Sequence, residues 1–247
     1  MSRFSNRVVD YVKYRPDYPR EIVGLLGEVC GLTEDSVIAD VGCGPGISSK
    51  MFLENGNRVI GVEPNAAMRD AAMEYLAGHE KFSIVDGRSD ATTLHDTSVD
   101  FVTAAQAFHW FEPATTRGEF KRILKPGGRI VLMWNERSLG ANDFHRDYEA
   151  LLVKWSTDYN TVRHENIQAG ELSNFFEGDY GSRVFANNLL YDLDMLKGRM
   201  SSSSYIPAKD DPVYPQMVEE LTQIFAKHAV ADRIEIQYDT SVYYSLT

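Results

Sequence analysis

The chain has 247 residues, 43% of them hydrophobic, with 25 Lys and Arg against 36 Asp and Glu and a net charge of −11. That size suits one substantial α/β domain with an elaboration, and the negative charge argues against a surface made for nucleic acid or anionic membrane. With only Cys30 and Cys43 a disulfide framework is not expected, and no apolar run approaches the ~20 residues of a membrane span. The opening residues lack the apolar core of a signal peptide, so the expected compartment is the cytoplasm.

Residues 1–19 form an N-terminal arm that breaks at Pro16 and Pro19, with Tyr11, Tyr14 and Tyr18 spaced to share a face. A first helix is predicted over 20–30. Residues 37–41 read as a buried strand that runs into the glycine-rich turn Gly42-Cys43-Gly44-Pro45-Gly46, with a helix beginning near Ile47. Such a strand–turn–helix brings main-chain N–H groups close to a nucleotide-like ligand. The spacing departs from the dinucleotide fingerprint, because Ile47 stands where the third small residue belongs and Gly46 comes one position early. Asp40 lies two residues before the first glycine. The next strand, 58–63, ends in Glu63, where a carboxylate either accepts both ribose hydroxyls or is a solvated strand end. Pro64-Asn65 opens a helix with Asn65 as N-cap.

A third strand over 82–85 leads into Asp86-Gly87-Arg88-Ser89-Asp90. A fourth, 99–105, is followed by Gln106-Ala107-Phe108-His109-Trp110-Phe111, which borders the ligand because ligands bind beyond the carboxyl ends of parallel strands. An aromatic cluster there suits a cationic ligand. His109 is either a general base or a half-buried packing histidine. Lys125-Pro126-Gly127-Gly128 ends a helix, and 129–135 is a fifth strand. Strands alternating with helices imply a doubly wound, mostly parallel sheet.

Residues 137–182 are polar, helical and aromatic-rich, too long for a connection, and are expected to form a helical cap, a surface elaboration or a dimer contact. His145 and His164 have no metal-ligand spacing, so no metal is expected. Residues 183–191 are predicted as a sixth strand, 192–200 and 211–228 as helices, and 234–238 with 242–245 as the completion of the sheet. The assignment is thus arm 1–19, core 20–136, cap 137–182, and 183–247 returning to the core sheet.

The pattern Asp40-x-Gly42-x-Gly44-x-Gly46, with Glu63, the end of the fourth strand and the Arg122-x-Leu124-Lys125-Pro126-Gly127-Gly128 turn in this order, resembles the class I S-adenosylmethionine (AdoMet) methyltransferases. Tyr11 to Pro19, Ala107 to Phe111 and Trp134-Asn135 are similar to the small-molecule branch that includes trans-aconitate methyltransferases. The resemblance implies a seven-stranded sheet with an antiparallel last strand, and AdoMet as cofactor. It places the cofactor on Asp40, Gly42, Cys43, Gly44, Gly46, Glu63, Pro64, Gln106 and Ala107, with Tyr14 or Arg15 of the arm meeting its carboxylate. The usual adenine loop has an acid where this chain has Arg88, so Ser89 or Asp90 takes the adenine. His109 is the candidate base, and Trp110, Trp134, Ser203 and Tyr205 are candidate acceptor contacts.

The expected function is methyl transfer to a small molecule, with a carboxylate or hydroxyl oxygen as acceptor, by a monomer or homodimer acting on neither nucleic acid nor membrane. A polycarboxylate acceptor would need cations from Arg15, Arg88, Arg137 or Arg163. A protein or RNA methyltransferase, an AdoMet sensor without catalysis and a dehydrogenase are the alternatives. No basic aromatic RNA platform is visible, and Gln106-Ala107-Phe108-His109 stands where an amine methyltransferase carries N-P-P-Y.

Overall fold

The computed structural model describes residues 8–139, 141–156, 159, 169–203 and 205–246; Arg163 and His164 lie outside them. The chain divides into two compact units. A sheet unit comprises Asp17–Asn135, Ile167–Phe185 and Thr240–Thr247, and a helical unit comprises Met1–Pro16, Glu136–Asn166 and Ala186–Asp239.

The sheet unit is built on seven strands. In chain order they are β1 (Val37–Val41), β2 (Arg58–Val62), β3 (Phe82–Val85), β4 (Val99–Ala105), β5 (Leu124–Arg137), β6 (Tyr180–Ala186) and, after two short strands elsewhere, β9 (Tyr238–Ser245). Their order in the sheet is β3-β2-β1-β4-β5-β9-β6. The first five are parallel, and β9, the last, is antiparallel. Ala39 of β1 lies opposite Ile60 on one side and Val102 on the other. Strands paired on both sides and covered on both faces need near-continuous apolar runs, as 37–41 and 99–105 provide. The strand order reverses between β1 and β4, which makes their carboxyl ends the place where an open α/β sheet binds ligands.

Four helices connect these strands or precede them: α2 (Glu21–Cys30), α3 (Ile47–Glu54), α4 (Ala66–Tyr75) and α5 (Pro113–Ile123). The Asn65 side chain accepts from the Ala67 and Met68 N–H groups, the N-cap expected there. A further helix, α7 (Ala169–Phe176), falls in the stretch expected to form a cap. It belongs to the sheet unit, where Phe175 stacks edge-on to Phe108 at 4.5 Å and Phe120 at 6.0 Å.

Two expectations about strands are corrected. Residues 183–191 are not one strand: β6 stops at Ala186, and β7 (Leu189–Tyr191) pairs antiparallel with β8 (Ile234–Ile236) in a separate two-stranded sheet of the helical unit. The break is Asn187-Asn188, a residue type that favours turns. For the same reason 234–236 leaves the main sheet, which only β9 completes. Of 183–247, therefore, just the end of β6 and the run from Thr240 lie in the sheet unit.

The helical unit packs α6 (Asp143–Trp155) against α9 (Tyr214–His228), with Tyr148, Leu152, Leu221 and Phe225 in its core. In it α1 (Val8–Tyr14) meets α8 (Leu193–Ser201) through one close approach. A Cβ on Gly198 would lie 2.2 Å from the Tyr14 ring. Gly→Ala inside a helix normally stabilises by about 1 kcal/mol. Here Gly198→Ala is expected to reverse that sign and to destabilise by about 1–2 kcal/mol through overpacking. A urea midpoint equal to or above that of the wild type would refute this.

Candidate active site

Asp40 is the most deeply placed charge at the end of β1, at 0% exposure. Its Oδ2 accepts from Ser48 Oγ at 2.7 Å and Ser49 Oγ at 2.6 Å, and its Oδ1 accepts from Thr103 Oγ1 at 3.1 Å. Burial pushes this carboxyl up, and the three hydroxyls oppose that. The carboxylate thereby ties the first turn of α3 to β4 and holds the glycine turn in shape. Neither the serines nor Thr103 stood out in the sequence, although hydroxyls eight and nine residues after a buried acid are a usable signal.

The three glycines of the turn all have positive φ but differ in what surrounds them. A Cβ on Gly42 (φ +70°) would lie 2.7 Å from Ala107 Cβ, and one on Gly46 (φ +88°) 2.6 Å from Leu76 Cδ1. At Gly44 (φ +54°) nothing among the described residues lies within 4 Å. Two glycines thus serve packing, while the third faces open space. Cys43 is buried between them, with its thiol pushed well up by burial and then by the charges of Asp40 and Glu63, so it stays protonated.

Glu63 ends β2 beside this turn. Its Oε2 accepts from the Gly44 N–H at 3.0 Å and its Oε1 from the Asn65 N–H at 2.9 Å. Burial raises its carboxyl, opposed by these two N–H groups and by Arg69. A carboxylate has about four acceptor positions, so two remain for hydroxyl donors. Pro64 lies between Glu63 and Asn65 in the chain. In the following loop Arg88 forms an ion pair with Asp90, and Ser89 Oγ accepts from Thr116 Oγ1 at 2.9 Å. The arginine that replaces the usual acid is thus neutralised by its neighbour.

At the end of β4, Gln106 has φ +54°, a strained value for a residue with a side chain. Its Nε2 donates to the Asn135 carbonyl at 2.7 Å, and its buried Oε1 has no hydrogen-bond partner among the described residues. Ala107 meets Gly42, Phe108 enters the core, and the His109 ring lies 4.9 Å from that of Trp110, tilted by 47°, with Trp110 53% exposed. Trp134, expected near an acceptor, is at 3% exposure and edge-on to Phe108 and Tyr243. Its place is the core.

A family model described as a methyltransferase domain matches residues 39–132, the stretch that supplies every group just described except Asn135, Trp134 and Tyr243. Residues 39–132 thus carry a methyltransferase domain. An uncharacterized methyltransferase of Schizosaccharomyces pombe is 26% identical over 98% of this chain and 96% of its own length. One of Mycobacterium tuberculosis H37Rv is 34% identical over 54% of this chain, a match spanning only about half of that relative (52%). A solved structure from Anaeromyxobacter dehalogenans, described as a candidate type II methyltransferase, has a TM-score of 0.71 at 20% identity, covering 94% of this chain and 97% of that one.

Most of the remaining candidate residues lie in the helical unit. The Tyr14 ring rests on Gly198, Arg15 donates to Ser202, Ser203 accepts from Arg199, and the Tyr205 ring lies 4.8 Å from that of Tyr159. Arg137 is buried against Glu149, and the exposed Arg88 pairs with Asp90, so both already have their counter-charge. Arg199 was missed by sequence reasoning. The signal for it is a charge on an apolar helical stripe, since it lies beside buried Leu196 and Met200 on α8.

Proposed function

We propose that this methyltransferase uses AdoMet to methylate a small molecule on oxygen, at a carboxylate or a hydroxyl. One observation carries the cofactor reading: the open space at Gly44, beside a Glu63 carboxylate already oriented by the Gly44 and Asn65 N–H groups. Glu63 would accept the ribose hydroxyls, Asp40 positions the turn, Ser89 or Asp90 would take the adenine amino group, and Gln106 and Ala107 would border the reactive end. When bound, AdoMet supplies an electrophilic methyl on a sulfonium whose leaving group is a neutral thioether. The protein's task is then alignment and exclusion of water. The aromatic run around His109 offers ring faces to a cation.

A carboxylate acceptor is already ionised and needs no base. A hydroxyl acceptor needs one, and His109 would take that proton. The absence of an N-P-P-Y signature at 106–109 favours oxygen over an amine. Calorimetric titration with AdoMet, S-adenosylhomocysteine and NADH tests the cofactor, followed by a methyl-transfer screen over acids and alcohols. Binding of NADH alone would reject the reading. His109→Ala is expected to slow transfer to a hydroxyl about 10²–10⁴-fold with unchanged S-adenosylhomocysteine affinity. An unaltered rate would return His109 to packing.

A further inference from the structure

The sheet unit carries a recess at the end opposite the glycine turn. That turn follows the carboxyl end of β1, which is parallel to β4, and β4 to β5. Thr97 precedes β4, Leu124 opens β5 and Ser245 closes the antiparallel β9, so all three stand at the amino end. They line one cavity of about 310 Å³, the small end of the ~300–1,000 Å³ range of small-ligand sites. Leu124, Ile130 and Phe176 give it an apolar wall, and Arg117, Lys121 and Lys125 supply three cations.

The charges do not cancel. Arg117 and Lys121 stand one turn apart on the same face of α5 and share a single acid, Glu177, just past the end of α7. Lys125 has its own acid: its Nζ donates to both Asp100 oxygens, at 2.9 and 3.0 Å. Three cations thus face two acids, and one positive charge is left over in a chain of net charge −11. Arg117 Nη1 donates to the Asn174 carbonyl at 2.6 Å, and its Nε lies 3.3 Å from Glu177 Oε1. Among the described residues only one of its five donors makes a hydrogen bond, so donors remain for a planar anion. Ser245 Oγ accepts from the Ile130 N–H at 3.1 Å, which leaves its own proton uncommitted among the described residues. Thr97 has φ +48°, an outlier for a β-branched residue. Such strain persists where the surroundings impose it, and it clusters at ligand sites.

We propose that this recess binds a small organic monocarboxylate with an apolar body, its head on Arg117 and Lys121 and its body against Leu124, Ile130 and Phe176. One surplus positive charge matches one negative charge. The guanidinium fork matches a planar carboxylate better than a point charge. The apolar wall gives an inorganic anion nothing to bury, whereas each methylene of an acyl chain gains from leaving water. The site stands independently of the cofactor reading.

The test is calorimetry on the full chain with octanoate, acetate, 1-octanol and inorganic phosphate at matched ionic strength. Octanoate is expected to bind saturably. The other three are expected to bind at least about 10-fold more weakly, since acetate and phosphate lack the body and octanol lacks the charge. S-adenosylhomocysteine is expected not to displace octanoate. Arg117→Gln is expected to weaken octanoate about 10-fold, the lower end for a charged hydrogen bond because Arg117 is partly exposed, and to keep S-adenosylhomocysteine affinity. If that variant does not fold, Lys121→Gln on the same helix face carries the same comparison. No octanoate binding, equal binding of any of the three controls, or wild-type octanoate affinity in the variant overturns the site. Displacement of octanoate by S-adenosylhomocysteine would place the acid at the cofactor end and overturn it equally. Failure of the wild type to bind S-adenosylhomocysteine would defeat the proposed function instead, and the octanoate titration would still be readable.

Discussion

Gly42→Ala is expected to destabilise the fold by about 2–5 kcal/mol, whereas Gly44→Ala costs only about 1–2 kcal/mol yet removes cofactor binding. Both residues have positive φ, which penalises a side chain by about 1–2 kcal/mol. Only Gly42 adds a collision: its Cβ would sit 2.7 Å from that of Ala107 and 3.2 Å from the Phe111 ring, and overpacking of this kind costs about 1–3 kcal/mol. At Gly44 the new methyl would enter open space. If that space belongs to the cofactor, the methyl displaces it. Urea unfolding separates the two stabilities, and titration with S-adenosylhomocysteine reads the binding. A Gly44→Ala protein that binds it normally would show that the space has another purpose.

Glu63→Ala should lower AdoMet affinity by about 1.5–3 kcal/mol, the range for a lost hydrogen bond to a charged group. The loss has two sources. Ribose hydroxyls would lose their acceptor, and the Gly44 and Asn65 N–H groups would lose the oxygens that orient them. Glu63→Gln separates these, because its amide oxygen still accepts from one N–H while the charge is gone. The glutamine variant is expected to fall between wild type and alanine. Affinity unchanged in both variants would remove Glu63 from the site.

The parallel half of the sheet was legible because its signals are local. A five-residue strand apolar but for Asp40, an Asx N-cap and a glycine turn each report on their own neighbourhood, and Val37 to Asn65 contains all three. The β7–β8 pair was not legible. Leu190 pairs with Glu235 across 45 residues of chain, and a short alternating run carries no information on which sheet it joins. Asp40 and Glu63 could be picked out as acids at strand ends. What their oxygens hold depends on Ser48, Ser49, Thr103 and Asn65, which only the fold brings to them. Trp134 and Trp110 looked equivalent as aromatics near strand ends, yet one is core and the other is half exposed.

The sheet order has a consequence for synthesis of the chain. β5 has β9 as its neighbour on one side, and the Ile130 N–H waits for the Ser245 hydroxyl, 115 residues later. While the ribosome makes that stretch, the run Ile130 to Met133 presents an unpaired apolar edge, the kind that nascent chains pair with one another. The sheet closes only after residue 245 has been made, so its completion is a late event set by the last strand rather than by the nucleotide-binding half, whose strands can pair as they emerge.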